Sequence, residues 1–272
     1  MAGMIEAQAD EAGLVARIGR GLARWSLVIG LLALWELLVR SGAFTPFMLP
    51  SPWSVLERIG RDASGGDLFL NLALTLYRAI TGFVIAAVLG VAIGLFMSRN
   101  AAVRWFFDPI ISVGFPMPKI TFLPVIVLWL GFYDVAKISM VIFDSIFPVI
   151  TGTIVGMQSV EKELVWSARA MGAKERELLW QIFLPAAAPQ IMTGLQVSLP
   201  IAIIVAIVAE MLMGGYGIGG AMTQASRMAD SRGVFAGIVE IAVVGWFLVK
   251  GMTILRRRLL VWHPETEVIR GV

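Results

Sequence analysis

The chain has 272 residues, 58% of them hydrophobic and only 15% charged, with a mean hydropathy of +0.83. Soluble domains carry about 45–50% apolar and about 25% charged residues, so the sequence describes an integral membrane protein. With no cysteine and a single histidine, His263, it excludes disulfides, thiol catalysis and any Cys/His metal cluster; its formal charge of +3 shows none of the aromatic–basic interleaving of nucleic-acid binders.

Residues 1–24 mix Glu6, Asp10 and Glu11 with Arg17, Arg20 and Arg24. That acidic content, with no small-residue cleavage site after the next apolar run, argues against a secretory signal and predicts a cytoplasmic leader. A helix of about 20 apolar residues crosses a bilayer, and six stretches approach that length: Trp25–Val39, Ile80–Met97, Pro109–Gly131, Ile138–Gly156, Ile191–Ala209 and Val234–Val249. The third is interrupted by Pro116, Pro118 and Pro124 and holds Lys119; the fourth holds Asp144, the fifth ends at Glu210 and the sixth holds Glu240. The expected fold is all-α, with six transmembrane helices over residues 25–258 and a cytoplasmic tail from 259 to 272.

Lysine and arginine placement orients these spans. With the N-terminus inside, cytoplasmic segments hold Arg17, Arg20, Arg24, Arg99, Arg104, Lys162, Arg169, Lys174, Arg176, Arg256, Arg257, Arg258 and Arg270. External segments hold only Arg40, Arg58, Arg61, Arg227 and Arg232. Between the first two spans, Ser51 before Pro52 predicts the start of a short external helix carrying Trp53, Val55, Leu56 and Ile59. In the second span Gly82, Ala86, Gly90 and Gly94 fall four apart on one face, a spacing that lets helices approach closely in lipid; packing is the main reading and a sliding face the lesser one.

Ionisable residues at membrane depth are costly and mark candidate functional sites. Lys119, in a proline-broken span, either lines a cavity where a cation suits an anionic solute or snorkels to the interface. Asp144 is expected to pair with Lys137 or Arg78, and Glu210 with Arg227 or Arg232 across an external gate. Gly215-Tyr216-Gly217-Ile218-Gly219-Gly220 matches G-x-G-x-x-G, but no strand precedes it and no acidic residue follows at the needed place; it reads as a flexible turn between spans five and six. The chain also lacks a Walker-type G-x-x-x-x-G-K-[ST].

One long polar stretch separates spans four and five: EKELVWSARAMGAKERELLWQIFLP, Glu161–Pro185. Leu164, Ala168 and Met171 recur at i, i+4 and i+7 and give a first helix one apolar face. Gly172 is placed to stop it. A second amphipathic run carries Leu178, Leu179, Ile182 and Phe183, and Leu184-Pro185 is expected to end it.

Gly172, nine intervening residues, then Ile182, Leu184 and Pro185 resemble the EAA-type loop of ABC importer permeases. Ala168 matches that pattern's second alanine, while Trp166 and Ser167 stand where its glutamate and first alanine fall. Leu49-Pro50-Ser51-Pro52, the run Leu76, Arg78, Gly82, Phe83, the stretch ITFLPVIVLWLGFYDVAKI and Val208–Met211 (VAEM) are similar to the nitrate/sulfonate/taurine/bicarbonate-like branch of these permeases. The resemblance implies a type I, MetI-like importer permease fold and a non-catalytic transport subunit of the bacterial inner membrane. It implies that residues 158–185 form a cytoplasmic coupling loop in which Glu161, Leu164, Ala168, Met171, Gly172, Ala173, Ile182, Leu184 and Pro185 engage an ATPase. It also implies a second copy of the chain, two cytoplasmic ATPase subunits that hold ATP and Mg²⁺, and a soluble substrate-binding protein outside. Lys119, Asp144, Glu210 and Arg78 are the candidates for a translocation pathway or gate. A rival from another class is an ion-coupled secondary transporter with Asp144, Glu210 and Glu240 as carboxylate relays; such proteins often carry inverted repeats, and no convincing matching halves are seen here.

Overall fold

The computed structural model describes residues 26–262, and every regular element among them is helical. The expected leader (1–24), His263 and most of the expected tail lie outside the described residues. In chain order the helices are α1 (26–40), α2 (Pro52–Gly65), α3 (Asp67–Arg99), α4 (Ala101–Gly114), a 3₁₀ turn (Lys119–Phe122), α5 (Leu123–Leu130) and α6 (Asp134–Gln158). There follow α7 (Lys162–Ala170), α8 (Glu175–Glu177), a π turn (Leu178–Phe183), α9 (Leu184–Met213), α10 (Ile218–Arg227) and α11 (Ser231–Leu259).

Four described helices are long and apolar enough to cross a membrane: α3, α6, the run Glu175–Met213 and α11. The third expected span is broken where its prolines fall. Ala101–Gly114 and Lys119–Leu130 meet at a bend of 99° and make a fifth crossing if counted as one. The described part of α1 is shorter than the 18 residues such a helix needs.

The core is α3, α6 and α9, and small residues set its geometry. A Cβ added at Gly82 would lie 2.5 Å from Val141 Cγ1, at Gly90 2.8 Å from Val149 Cβ, and at Gly94 2.6 Å from Thr153 Cβ. Ala86, between them, is fully buried. The stripe is therefore a closely packed face. These pairings advance together along both helices, so α3 and α6 run parallel, and the bent α4–α5 pair returns the chain to the end where α3 began. On its other side α6 packs antiparallel to α9: a Cβ at Gly156 would meet Ala187 O at 2.7 Å, one at Gly194 would meet Pro148 O at 2.7 Å, and Ser198 Oγ donates to Ser145 O at 2.7 Å. Interlocking of this kind supplies van der Waals contact where lipid offers no hydrophobic drive.

The predicted external helix is present as α2. Ser51 Oγ accepts from the Ser54 N–H at 3.2 Å, Pro52 opens the first turn, and Trp53 and Leu56 remain exposed while Val55 is buried. Arg58 of α2 bridges Asp62 and Asp230 and so fixes α2 to the start of α11.

One expectation fails. Leu184-Pro185 does not end the second loop helix, because the chain runs helical without a break from Glu175 to Met213. The π turn immediately before Pro185 gives the physical reason. Widening that turn moves aside the carbonyl with which the proline ring would clash and absorbs the missing N–H.

Candidate functional site

Among the described residues, three polar constellations bear on function. The largest lies at the end of the core opposite the Glu161–Pro185 loop. Arg78 of α3, only 4% exposed, donates from Nη1 to Glu210 Oε1 and to Tyr216 O, both at 2.6 Å, and from Nη2 to Asp134 Oδ1 at 2.8 Å. Glu210 of α9 is fully buried and also accepts from Thr75 Oγ1 at 2.8 Å. Lys137 of α6, also buried, donates to Gly214 O at 2.8 Å.

These side chains organise the glycine-rich turn. The amides of Gly217, Ile218 and Gly219 donate respectively to Asn71 Oδ1 (2.9 Å), Thr75 Oγ1 (2.9 Å) and Glu210 Oε2 (3.1 Å), so three of the four orphan donors that open α10 find side-chain acceptors. Gly214, Gly215 and Gly217 have φ of +73°, +90° and +128°, and a Cβ at Gly217 would sit 2.3 Å from the Glu210 carboxyl carbon. The G-x-G-x-x-G run thus does cradle an anion at a helix N-terminus, but that anion is the chain's own Glu210. The turn is pinned rather than flexible. Glu210 pairs with Arg78, not with the expected Arg227 or Arg232, because the packing of α3 beside α9 brings Arg78 level with it.

At the bend between α4 and α5, Lys119 is 6% exposed; its Nζ lies 2.9 Å from Asp144 Oδ1, donates to Phe115 O at 3.2 Å and sits 4.7 Å from the centroid of the Phe147 ring. It does not snorkel. Asp144 therefore pairs with Lys119 and not with the expected Lys137 or Arg78, both of which are committed to the opposite-end cluster two helical turns away. Glu240, half-buried on α11, lines a separate polar cavity of about 350 Å³ with Arg58, Asp62, Asn71 and Asp230.

The third constellation is the loop. Gly172, at φ +88°, closes α7: its N–H donates to Arg169 O at 2.9 Å, and the Ala173 N–H donates to Ala168 O at 3.0 Å. This is the left-handed C-terminal cap that the glycine predicts. Ala168 is buried beneath the loop and Leu178 is fully buried behind it. Leu164 and Met171 do not share that burial. They stay 49% and 79% exposed, and Trp166 is 61% exposed. The i, i+4, i+7 face therefore packs at one position and presents the rest outward. Ile182 and Leu184 are half-buried along the helix that continues from the loop, while Glu161 and Pro185 are exposed.

Comparison with known proteins agrees with this architecture. Residues 82–261 match the family described as "Binding-protein-dependent transport system inner membrane component". The taurine transport system permease protein TauC of Escherichia coli (strain K12) is 31% identical over 242 residues, covering 87% of this chain and 88% of that protein. The putative aliphatic sulfonates transport permease protein SsuC of Bacillus subtilis (strain 168) is 31% identical over 237 residues, covering 87% and 86%. Among solved structures, the MetNI methionine ABC transporter in an inward-facing conformation matches with a TM-score of 0.58 at 16% identity, over 71% of this chain and 94% of that one. An amino acid ABC transporter matches with a TM-score of 0.60 at 16% identity, over 73% and 97%. The chain belongs to the binding-protein-dependent transport system inner membrane component family and is a permease of an ABC importer.

Proposed function

We propose that this permease, paired with a second copy of itself, forms the pathway of an ATP-driven importer for a small anionic solute of the sulfonate or taurine class. Residues 25–258 form the membrane domain in a bacterial inner membrane, with the leader 1–24, the coupling loop 158–185 and the tail 259–272 all cytoplasmic. The chain hydrolyses nothing itself. Two ATPase subunits hold ATP with its Mg²⁺ and grip the loop, and a soluble binding protein delivers the solute outside.

The observation that carries this reading is one unbroken helix of 39 residues, Glu175–Met213. It joins the loop that exposes Leu164, Trp166 and Met171 to the Arg78–Glu210 cluster at the opposite face. At 1.5 Å per residue that helix is about 58 Å long, so a pull at the loop reaches the outer face through one continuous helix, although its π turn and Pro189 and Pro200 are places where it can bend. In this scheme Glu161, Leu164, Ala168, Met171, Gly172 and Ala173 shape the gripped surface. Ile182, Leu184 and Pro185 seat the helix that leaves it. Arg78 and Glu210 hold the external turn, and the Lys119–Asp144 pair at the bend is the mid-membrane candidate for solute contact. Closure of the ATPase dimer draws the two loops together and opens the outer face; hydrolysis releases them. The direction of transport comes from the different contacts of each state with its ligands.

The substrate class is tested on the assembled complex in proteoliposomes. Taurine and short alkanesulfonates, presented on the cognate binding protein, are expected to raise ATP hydrolysis several-fold, with mass spectrometry of the purified binding protein finding a sulfonate. Stimulation only by solutes that carry no sulfonate or comparable oxoanion group contradicts the assignment.

A further inference from the structure

At the loop end of the core, one carboxylate joins three helices. Glu175 opens the long helix that ends at Met213. Its Oε2 lies 2.5 Å from Arg99 Nη2, in the last turn of α3, and its Oε1 lies 2.8 Å from Arg169 Nη2, in the last turn of α7. Negative charge at a helix N-terminus is favourable in its own right. The Arg99 guanidinium also stands 5.7 Å from the centroid of the Phe183 ring, so it touches the return segment both ahead of the π turn, at Glu175, and at its last residue.

The position of this contact along α3 gives it meaning. Arg78 and Arg99 lie on one uninterrupted helix with no charged residue between them. The stretch separating them is about 31 Å at 1.5 Å per residue, close to the roughly 30 Å thickness of a bilayer's hydrocarbon core. Two ion pairs therefore tie α3 to the continuous Glu175–Met213 helix, one at each edge of the apolar zone: Arg78–Glu210 and Arg99–Glu175. Between the ties, Gly82, Gly90 and Gly94 lock α3 onto α6.

We propose that Glu175 is a positioning residue for coupling, which makes α3 follow the loop so that α3 and α9 are driven as one closed frame. The proposal rests on the reading of the Glu161–Pro185 loop as the element the ATPase grips. Exposed ion pairs add little to stability, and Arg99, Glu175 and Arg169 are all partly exposed. What the pair supplies is geometry: without it the loop remains joined to α9 through the backbone, and at this end of the core it pulls α3 only through side-chain packing, the remaining tie, Arg78–Glu210, lying at the far end.

Because the chain contains no cysteine, Arg99→Cys with Glu175→Cys places its only two thiols at this contact. The assembled importer, with cysteine-free partner subunits, is reconstituted in proteoliposomes, and solute taken up per ATP hydrolysed is measured. The unlinked pair, like Glu175→Gln, is expected to keep hydrolysing ATP while uptake per ATP falls about fivefold. Joining the two thiols with a short bifunctional maleimide is expected to restore the ratio to within twofold of wild type, since the same molecules are compared before and after linking. Arg169→Gln, which spares the Arg99 arm, is expected to stay within twofold. An unlinked pair that couples normally, a linked pair that stops transporting, or an Arg169→Gln loss as deep as that of Glu175→Gln each overturns the proposal. If instead the wild-type complex responds to substrate and alterations on the exposed surface of α7 leave that response intact, the loop reading itself fails.

Discussion

Arg78→Ala is expected to destabilise the purified permease by about 3–5 kcal/mol, the cost of leaving a buried charge without its partner. Glu210 is fully buried, and its carboxylate is held by Arg78, Thr75 and the Gly219 amide. Arg78 also anchors the Tyr216 carbonyl and Asp134, so its loss frees the glycine turn and one end of α6 as well. For a chain of this size that cost corresponds to a drop of roughly 6–20 °C in the unfolding midpoint, measured in detergent by the melting of helical ellipticity. Pairing Arg78→Ala with Glu210→Gln, which removes the stranded charge, is expected to recover part of the loss. An Arg78→Ala midpoint within 2 °C of wild type would show that the cluster does not hold the core.

The loop tip is expected to behave in the opposite way. Met171 and Trp166 are exposed, at 79% and 61%, so Met171→Asp and Trp166→Asp are expected to change the stability of the chain by no more than about 0.5 kcal/mol. Their effect falls on the partner. Large apolar anchors at protein contacts commonly cost about 2–4 kcal/mol when removed, which corresponds to roughly 30- to 1,000-fold weaker association with the ATPase subunits and loss of substrate-stimulated hydrolysis. Co-purification of the ATPase with each variant, alongside its melting curve, separates docking from folding. Wild-type co-purification of both variants would mean that the ATPase grips some other surface.

The departure from the family pattern at Trp166 and Ser167 sharpens this second expectation. An exposed indole stands where that pattern has a carboxylate, so under the proposed coupling the ATPase surface facing Trp166 is expected to be apolar.

Local signals in the sequence carried over well into the structure. Apolar length located α3, α6, α9 and α11, Ser51-Pro52 marked the start of α2, and Gly172 marked the end of α7. Each depends on neighbours within a few residues, and so does the break at Pro116 and Pro118. The stripe of Gly82, Ala86, Gly90 and Gly94 was equally plain as a helical repeat. Gly152 and Gly156 carry the same four-residue spacing, but Gly194, the partner of Gly152, lies on another helix, so that contact is not marked by any local repeat.

The ion pairs could not be read in the same way. Arg78 and Glu210 are 132 residues apart and meet only because glycine-lined faces bring α3 level with α9. Lys119 reaches Asp144 because the chain bends by 99° between α4 and α5, and no residue-level rule supplies that angle. Pro185 illustrates the converse failure. A sound local rule predicts a helix end, and a widened turn overrides it, leaving a continuous helix where an end is expected.

The central claim is that this chain burns no fuel and takes its force from a partner through the Glu161–Pro185 loop. Its most direct test is solute accumulation in proteoliposomes, comparing the permease alone with the permease plus its ATPase and binding protein, with and without ATP. Accumulation confined to the complete, ATP-supplied system is the predicted result. Concentrative uptake by the permease alone, driven by an imposed proton or sodium gradient without nucleotide, would contradict it.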